Sequence, residues 1–159
     1  MSGTDRIFIE GVGTVGGFGC GISDLSRALT GGVAPPGTLD LSTGSGPIGF
    51  PVFLADTSRL KEFVPARTLR RTDHFSRLAL LGSYLALADA GLAETEHRRL
   101  GVIIASGYGA TGATYAFLKS FINDGDICAS PTCFASSVHN SAAAHISILL
   151  GATGPSLTV

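Results

Sequence analysis

Apolar residues in this 159-residue chain occur in short runs set between clusters of glycine. Residues 6–12 mix β-branched and aromatic side chains and run into Gly11, Gly13, Gly16, Gly17, Gly19 and Gly21, which predicts a strand and then a loop. A short helix is expected over residues 23–29, ended by Gly31 and Gly32. Residues 31–51 hold Pro35, Pro36 and Pro47 among several Gly and Ser, and read as a long irregular excursion of functional or interface type. It is not a domain linker, because apolar residues resume at once with Ile48, Phe50, Val52, Phe53 and Leu54.

The strongest helical pattern covers residues 73–90. Thr72 can cap it, Asp73 suits the positive end of the helix dipole, and Gly91 offers a left-handed stop. Its expected buried stripe is Phe75, Leu78, Leu81, Leu85 and Ala88, at spacings of three and four, while Leu80 and Leu87 widen the apolar arc enough to require a second covering element. Residues 100–106 show no alternation, as in a strand buried on both faces of a layered α/β sheet. Helices are then expected over residues 114–122 and 137–150, with a loop over 124–132. The second helix carries the small residues Ser141, Ala142, Ala143 and Ala144, which allow close packing, and ends at Gly151. Residues 156–159 begin a strand, read here as one interrupted by the chain end.

Composition changes the picture in one respect. Only 14% of residues are charged, against about 25% in an ordinary domain, while 45% are hydrophobic and 22 are glycine. So little charge predicts that much of the surface is buried against a second copy or a further segment. A net charge of -1 gives no electrostatic reason to bind nucleic acid or an anionic membrane. No basic and apolar leader and no membrane-length apolar run is present, so a cytoplasmic protein is expected. Cys20, Cys128 and Cys133 show neither a disulfide framework nor metal-ligand spacing, and no metal or other cofactor is expected.

Two stretches match the dinucleotide-binding glycine pattern: Gly11, Gly13, Gly16 and Gly107, Gly109, Gly112. Neither is followed, about twenty residues on, by an apolar strand ending in Asp or Glu that would hold a ribose, so turn chemistry is the better reading. Three longer stretches discriminate further. RIFIEGVGTVGGFGCG resembles the opening strand and glycine loop of the β-ketoacyl-acyl-carrier-protein synthases. RRTDHFSRLALLGSYLALADAGL is similar to that family's first long helix. SPTCFASSVHNSAAAHISILLGATGPSLTV resembles its approach to the catalytic cysteine, including Asn140, His145, Gly151, Gly154 and Pro155. The three stand in family order and spacing over essentially the whole chain.

The resemblance implies an α/β fold, one half of a thiolase-like layered α-β-α-β-α sandwich, with residues 1–159 as an incomplete N-terminal domain. It implies a decarboxylating Claisen condensation: a cysteine is acylated, a malonyl thioester loses carbon dioxide, and the resulting carbanion attacks the acyl group. By the same resemblance the nucleophile follows the final strand, and its histidine or asparagine partners lie further on, so no residue of this chain is expected to be catalytic. Tyr108, Cys133 and Phe134 fall where the family lines its acyl pocket. Cys133, with His139 near it in sequence, is expected in a loop ahead of a helix and reads as a buried structural thiol. His139, Asn140 and His145 read as packing or capping groups, and His74 as a solvated first-turn residue.

Arg67, Arg70 and Arg71 precede a helix N-terminus, where cations oppose the dipole, which suggests another use. The resemblance makes them a docking site for an acidic acyl carrier protein; the alternative is that Asp73 and Glu62 pair with them. The expected partners are thus acyl carrier protein and a second copy, a complementary C-terminal half or a synthase subunit. Two other functions remain open: a non-catalytic partner of the chain-length-factor type, and a dinucleotide-binding domain.

Overall fold

The computed structural model describes residues 6–44, 46–126 and 129–159 and divides into two compact units. The first comprises the described part of Met1–Asp56 with Tyr84–Ala93; the second comprises Thr57–Ser83 and Glu94–Val159. Cys128 lies outside the described residues. Among the described residues no helix is long and apolar enough to cross a membrane.

In the first unit the glycine cluster folds into a small hairpin, β1 (Val15–Gly16) antiparallel to β2 (Gly19–Cys20). The Asp24 carboxylate accepts from the Cys20 N–H at 2.9 Å, which fastens β2 to helix α1 (Ile22–Gly31). Gly32, at φ 82, ends that helix. No strand forms over residues 6–12, and Ile7, Phe8 and Ile9 are largely exposed. The segment's β-forming residues find no ladder partner among the described strands, and the Val12 N–H instead donates to Asp89 Oδ2 at 2.9 Å.

Residues 31–51 are not the irregular excursion expected. They contain most of an antiparallel hairpin, β3 (Gly37–Thr43) and β4 (Gly46–Val52), in which Leu39 faces Phe50 and Leu41 faces Ile48. Pro47 and Pro51 are four residues apart and so share one N–H direction. In a two-stranded ribbon that direction can be the open edge, where a missing donor costs no ladder bond.

The second unit holds nearly all of the core: Leu60, Val64, Leu69, Leu80, Leu81, Val102, Ala110, Ala142, Ala143 and Ile146. A 3-10 turn over Ser58–Glu62 and the short helix α2 (Ala66–Leu69) lead into α3 (His74–Asp89). Asp73, and not Thr72, caps α3, its carboxylate accepting from the Ser76 N–H at 3.1 Å and the Ser76 hydroxyl at 2.6 Å. The helix forms where expected, but its buried face is rotated. Ser76, Leu80 and Leu81 are buried, Phe75, Leu78 and Leu85 are half-buried, and Ala88 is exposed.

Strand β5 (Val102–Ile104) pairs parallel with β6 (Ser156–Thr158), in register Val102 to Ser156 and Ile104 to Thr158. Parallel pairing needs a long crossover, here supplied by α4 (Thr111–Asp124), α5 (Pro131–Ser137) and α6 (Ser141–Leu150). Val102 is buried but Ile103 is 71% exposed, so β5 is covered on one face and not on both. The helix expected over 137–150 forms as α6 but starts later, at Ser141; α5, which was not expected, ends at Ser137, and Val138 turns extended between them. Buried Ser141, Ala142 and Ala143 bear out the small-residue reading, and Gly151, at φ 66, gives α6 its left-handed end.

Candidate functional site

The feature that gathers the sequence candidates is a cleft of about 590 Å³ in the second unit, between the start of α3 and the first turns of α4 and α5. Arg70, Arg71, Thr72 and His74 line one side; Gly109, Thr111, Gly112, Thr132, Cys133 and Ser136 line the other, with Phe75, Leu78, Ala110, Ala113 and Ala116 as apolar wall. Phe75 and Leu78 are therefore half-buried because they face this opening.

Local sequence explains each edge. Leu69 is buried and anchors α2, while Arg67, Arg70 and Arg71 are exposed around it. Arg77, one helical turn into α3, donates to the Leu69 carbonyl at 2.6 Å and fixes where α2 ends. Arg67, Thr68, Arg70 and Arg71 bound an adjoining groove of about 460 Å³. The suggested acidic partners are engaged elsewhere. Glu62 pairs with Arg59 at 3.4 Å and Asp73 is held by Ser76, and no ion pair to the three arginines occurs among the described residues.

After β5 the chain turns at Gly109, φ 57, whose N–H donates to Ser106 Oγ at 2.9 Å. That turn leaves Tyr108 92% exposed and outside the cleft lining, and delivers α4 with Ala110 at its N-cap. Alanine carries no acceptor, so the first N–H groups of α4 receive no side-chain cap. Cys133 lies within α5 and not in a loop ahead of it. Pro131 opens the helix, where a missing N–H is harmless, and Ser130 Oγ accepts from the Cys133 N–H at 3.3 Å. Its thiol is half-buried rather than fully buried. Phe134 stands outside the cleft lining and packs on Phe117 at a ring separation of 5.3 Å.

The structure thus brings Arg70, Arg71 and Cys133 to one cleft, sets Arg67 beside it, and leaves Tyr108 and Phe134 off it. His139 and Asn140 are exposed in the α5–α6 connection, and His145 is half-buried on α6. Among the described residues no group of three His, Cys, Asp or Glu side chains could hold a metal ion. Neither glycine pattern opens the unit a dinucleotide needs. The first enters a hairpin; the second does join β5 to α4, but the next strand, β6, begins only at Ser156. Sequence reasoning missed Ser136 and Ala110 altogether and took Thr72 for a cap. Nothing in a single small residue announces that it faces a cleft.

Comparison with known proteins places this geometry. The family model described as "Beta-ketoacyl synthase, N-terminal domain" matches residues 5–159. The 3-oxoacyl-[acyl-carrier-protein] synthase 2 of Coxiella burnetii (strain RSA 493 / Nine Mile phase I) is 29% identical over 164 residues, covering 97% of this chain and 38% of that protein. The ishigamide ketosynthase/chain length factor superposes with a TM-score of 0.72 at 17% identity, over 95% of this chain and 38% of that one. A complex of a type II PKS acyl-carrier protein with its ketosynthase bound to the hexaketide, AntDE:AntF, gives 0.63 at 19% identity, over 95% and 36%. These structural likenesses carry the thiolase-type α/β fold, and the chain spans about two-fifths of the length of the relatives it matches. A family match running from residue 5 to residue 159 settles the affiliation: the chain belongs to the β-ketoacyl synthase family, as its N-terminal domain.

Proposed function

We propose that residues 1–159 form the N-terminal part of a β-ketoacyl-acyl-carrier-protein synthase of fatty-acid, polyketide or polyene synthesis. In the whole protein the nucleophilic cysteine and its partner groups come from outside these residues, and this part alone is not competent. The reaction joins an acyl-cysteine to a malonyl thioester: the carboxylate leaves as carbon dioxide, its bonding electrons attack the acyl carbonyl, and the cysteine sulfur departs as thiolate. The family match along the chain carries this reading.

Within it, Arg67, Arg70 and Arg71 dock the acidic carrier protein. Their support is the observed freedom from ion pairs beside an apolar-walled cleft, together with the likeness to a ketosynthase seen with its carrier. Cys133, with Tyr108 and Phe134 on the adjacent surface, contributes to the acyl-binding side. A C-terminal half, a second copy or a synthase subunit covers exposed apolar residues such as Ile103 and Leu157. The fold likeness to a ketosynthase/chain length factor keeps a second reading in view, a non-catalytic partner; acyl transfer in the whole protein separates the two.

Carrier binding tests the docking. Replacing the three arginines by glutamate should weaken binding of acyl carrier protein roughly tenfold or more at low salt and much less at high salt, because exposed charges are screened. Equal affinity of both forms at every salt concentration removes the docking assignment.

A further inference from the structure

Pro47 and Pro51 fix the phase of the β3–β4 ladder. Neither has an N–H, so the pairs that exchange two bonds are Leu39 with Phe50 and Leu41 with Ile48, while Thr38, Asp40 and Ser42 and their partners Pro51, Gly49 and Pro47 turn their backbone groups outward. The two outer edges of the ribbon therefore differ. On β4 the prolines leave Gly49 as the outward N–H donor of that row. On β3, Thr38, Asp40 and Ser42 keep every outward N–H and carbonyl; all three residues are exposed, and no backbone bond from elsewhere among the described residues reaches them. Proline on an edge strand guards it against the addition of another strand, so β4 is guarded and β3 is open.

The side chains say what fits that edge. Asp40 is the one charged residue between Arg27 and Asp56. Across the ladder it faces Gly49, with Pro47 and Pro51 on the diagonals, so β4 offers it no cation, and it enters no ion pair among the described residues. A Cβ at Gly49 would stand 3.1 Å from Asp40 Oδ1 and 3.0 Å from Thr38 Cγ2, so both side chains lie over that glycine, on the face opposite Leu39 and Leu41. Where β3 begins, a pocket of about 230 Å³ is lined by Pro35, Gly37, Val52 and Phe53 among others. It is smaller than ordinary small-molecule sites and suits a single apolar side chain.

From this juxtaposition we infer that the open edge of β3 docks an extended segment of a partner protein, which adds as a third strand, sets a lysine or arginine opposite Asp40 and seats an apolar residue in the pocket beside Pro35. Main-chain bonds to Thr38, Asp40 and Ser42 hold the segment, and the cation and the apolar anchor select it. Antiparallel addition continues the pairing β4 already makes, and sheets of one kind are favoured. Opposite charges facing each other across a ladder attract and like charges repel. A second copy of β3 is the poorer occupant, because Gly37–Thr43 carries no cation to meet Asp40. The surface lies in the first unit and has no part in the carrier reading, which rests on Arg67, Arg70 and Arg71 in the second.

Fluorescence anisotropy of the labelled peptide Thr-Val-Lys-Val-Thr-Phe with the intact protein tests it, the lysine being placed to face Asp40 and the phenylalanine to reach the pocket. Saturable one-to-one binding is expected. Glutamate in place of the peptide's lysine should weaken it roughly fivefold or more, and Asp40→Lys in the protein should reverse that preference. N-methylation of the lysine removes an N–H aimed at β3 and should abolish binding; N-methylation of the valine before it, whose N–H points away, should leave the affinity within about twofold. On the protein, amide hydrogen exchange should slow at Thr38, Asp40 and Ser42 and stay fast at Gly49. Absence of binding, equal losses from the two N-methyl peptides, or protection at Gly49 in place of β3 overturns the inference. So does a dimer of the protein that protects the same three N–H groups without peptide.

Discussion

Gly11 lies so close to the last turns of α3 that a Cβ there would overlap the Ala86 carbonyl oxygen and crowd Ala90. Gly11→Ala is therefore expected to destabilise the first unit by about 1–3 kcal/mol, the usual cost of overpacking, read as a lowered urea midpoint. Tyr84 makes a second residue-scale test. Burial raises its phenol above the ordinary value of 10.0 because the phenolate would lose its solvation. The folded chain then keeps a proton that the unfolded chain gives up. That contribution to stability is intact below pH 10 and is lost as pH rises through the raised folded value. An absorbance titration at the tyrosinate band should show one phenol titrating late, absent in Tyr84→Phe; ionisation at or below the ordinary value contradicts the burial. At this scale the sequence was legible where one residue type has one use, as at Gly91 and Gly151, whose positive φ values end helices. It was not legible where use depends on a distant neighbour, as for Gly11, Thr72 and Ser136.

At the scale of elements, α3 is the piece most fully readable beforehand, yet its cap and its buried face both differ from expectation. Both differences have physical causes. Thr72 is drawn into the cleft wall, which leaves Asp73 to satisfy the first turn, and Phe75 and Leu78 face that cleft while Ser76, Leu80 and Leu81 meet the core. Asp73→Ala should accordingly cost about 1 kcal/mol of thermal or urea stability, and Asp73→Asn much less, since asparagine caps equally well. Equal losses for the two would mean the carboxylate's charge matters more than its acceptor geometry. The β3–β4 hairpin was hidden by its own prolines. The alternation Leu39, Asp40, Leu41, Ser42 is the signal of a half-buried strand, but Pro47 and Pro51 weigh against any strand until the ribbon is seen to have an open edge. The late start of α6 escaped notice because residues 137–140 contain neither glycine nor proline to mark a boundary.

For the whole molecule, the low charge content anticipated a surface made to be covered. In the structure Ile103, Leu157, Phe121, Ile122 and the hairpin's Leu39, Leu41, Ile48 and Phe50 are all exposed apolar side chains. The chain spans 38% of the length of a curated relative. The family was legible because three stretches in register cover the chain, and the match over residues 5–159 bears it out. The cleft was not, since it is assembled from residues more than sixty positions apart that no local pattern links.

The central claim, that this part receives an acyl carrier but does not supply the nucleophile, is tested most directly by peptide-resolved mass spectrometry of the whole protein after incubation with an acyl-loaded carrier. The account predicts an acyl thioester on a cysteine outside residues 1–159 and none on Cys20, Cys128 or Cys133. An acyl group mapped to Cys133, and lost in Cys133→Ser, would contradict it.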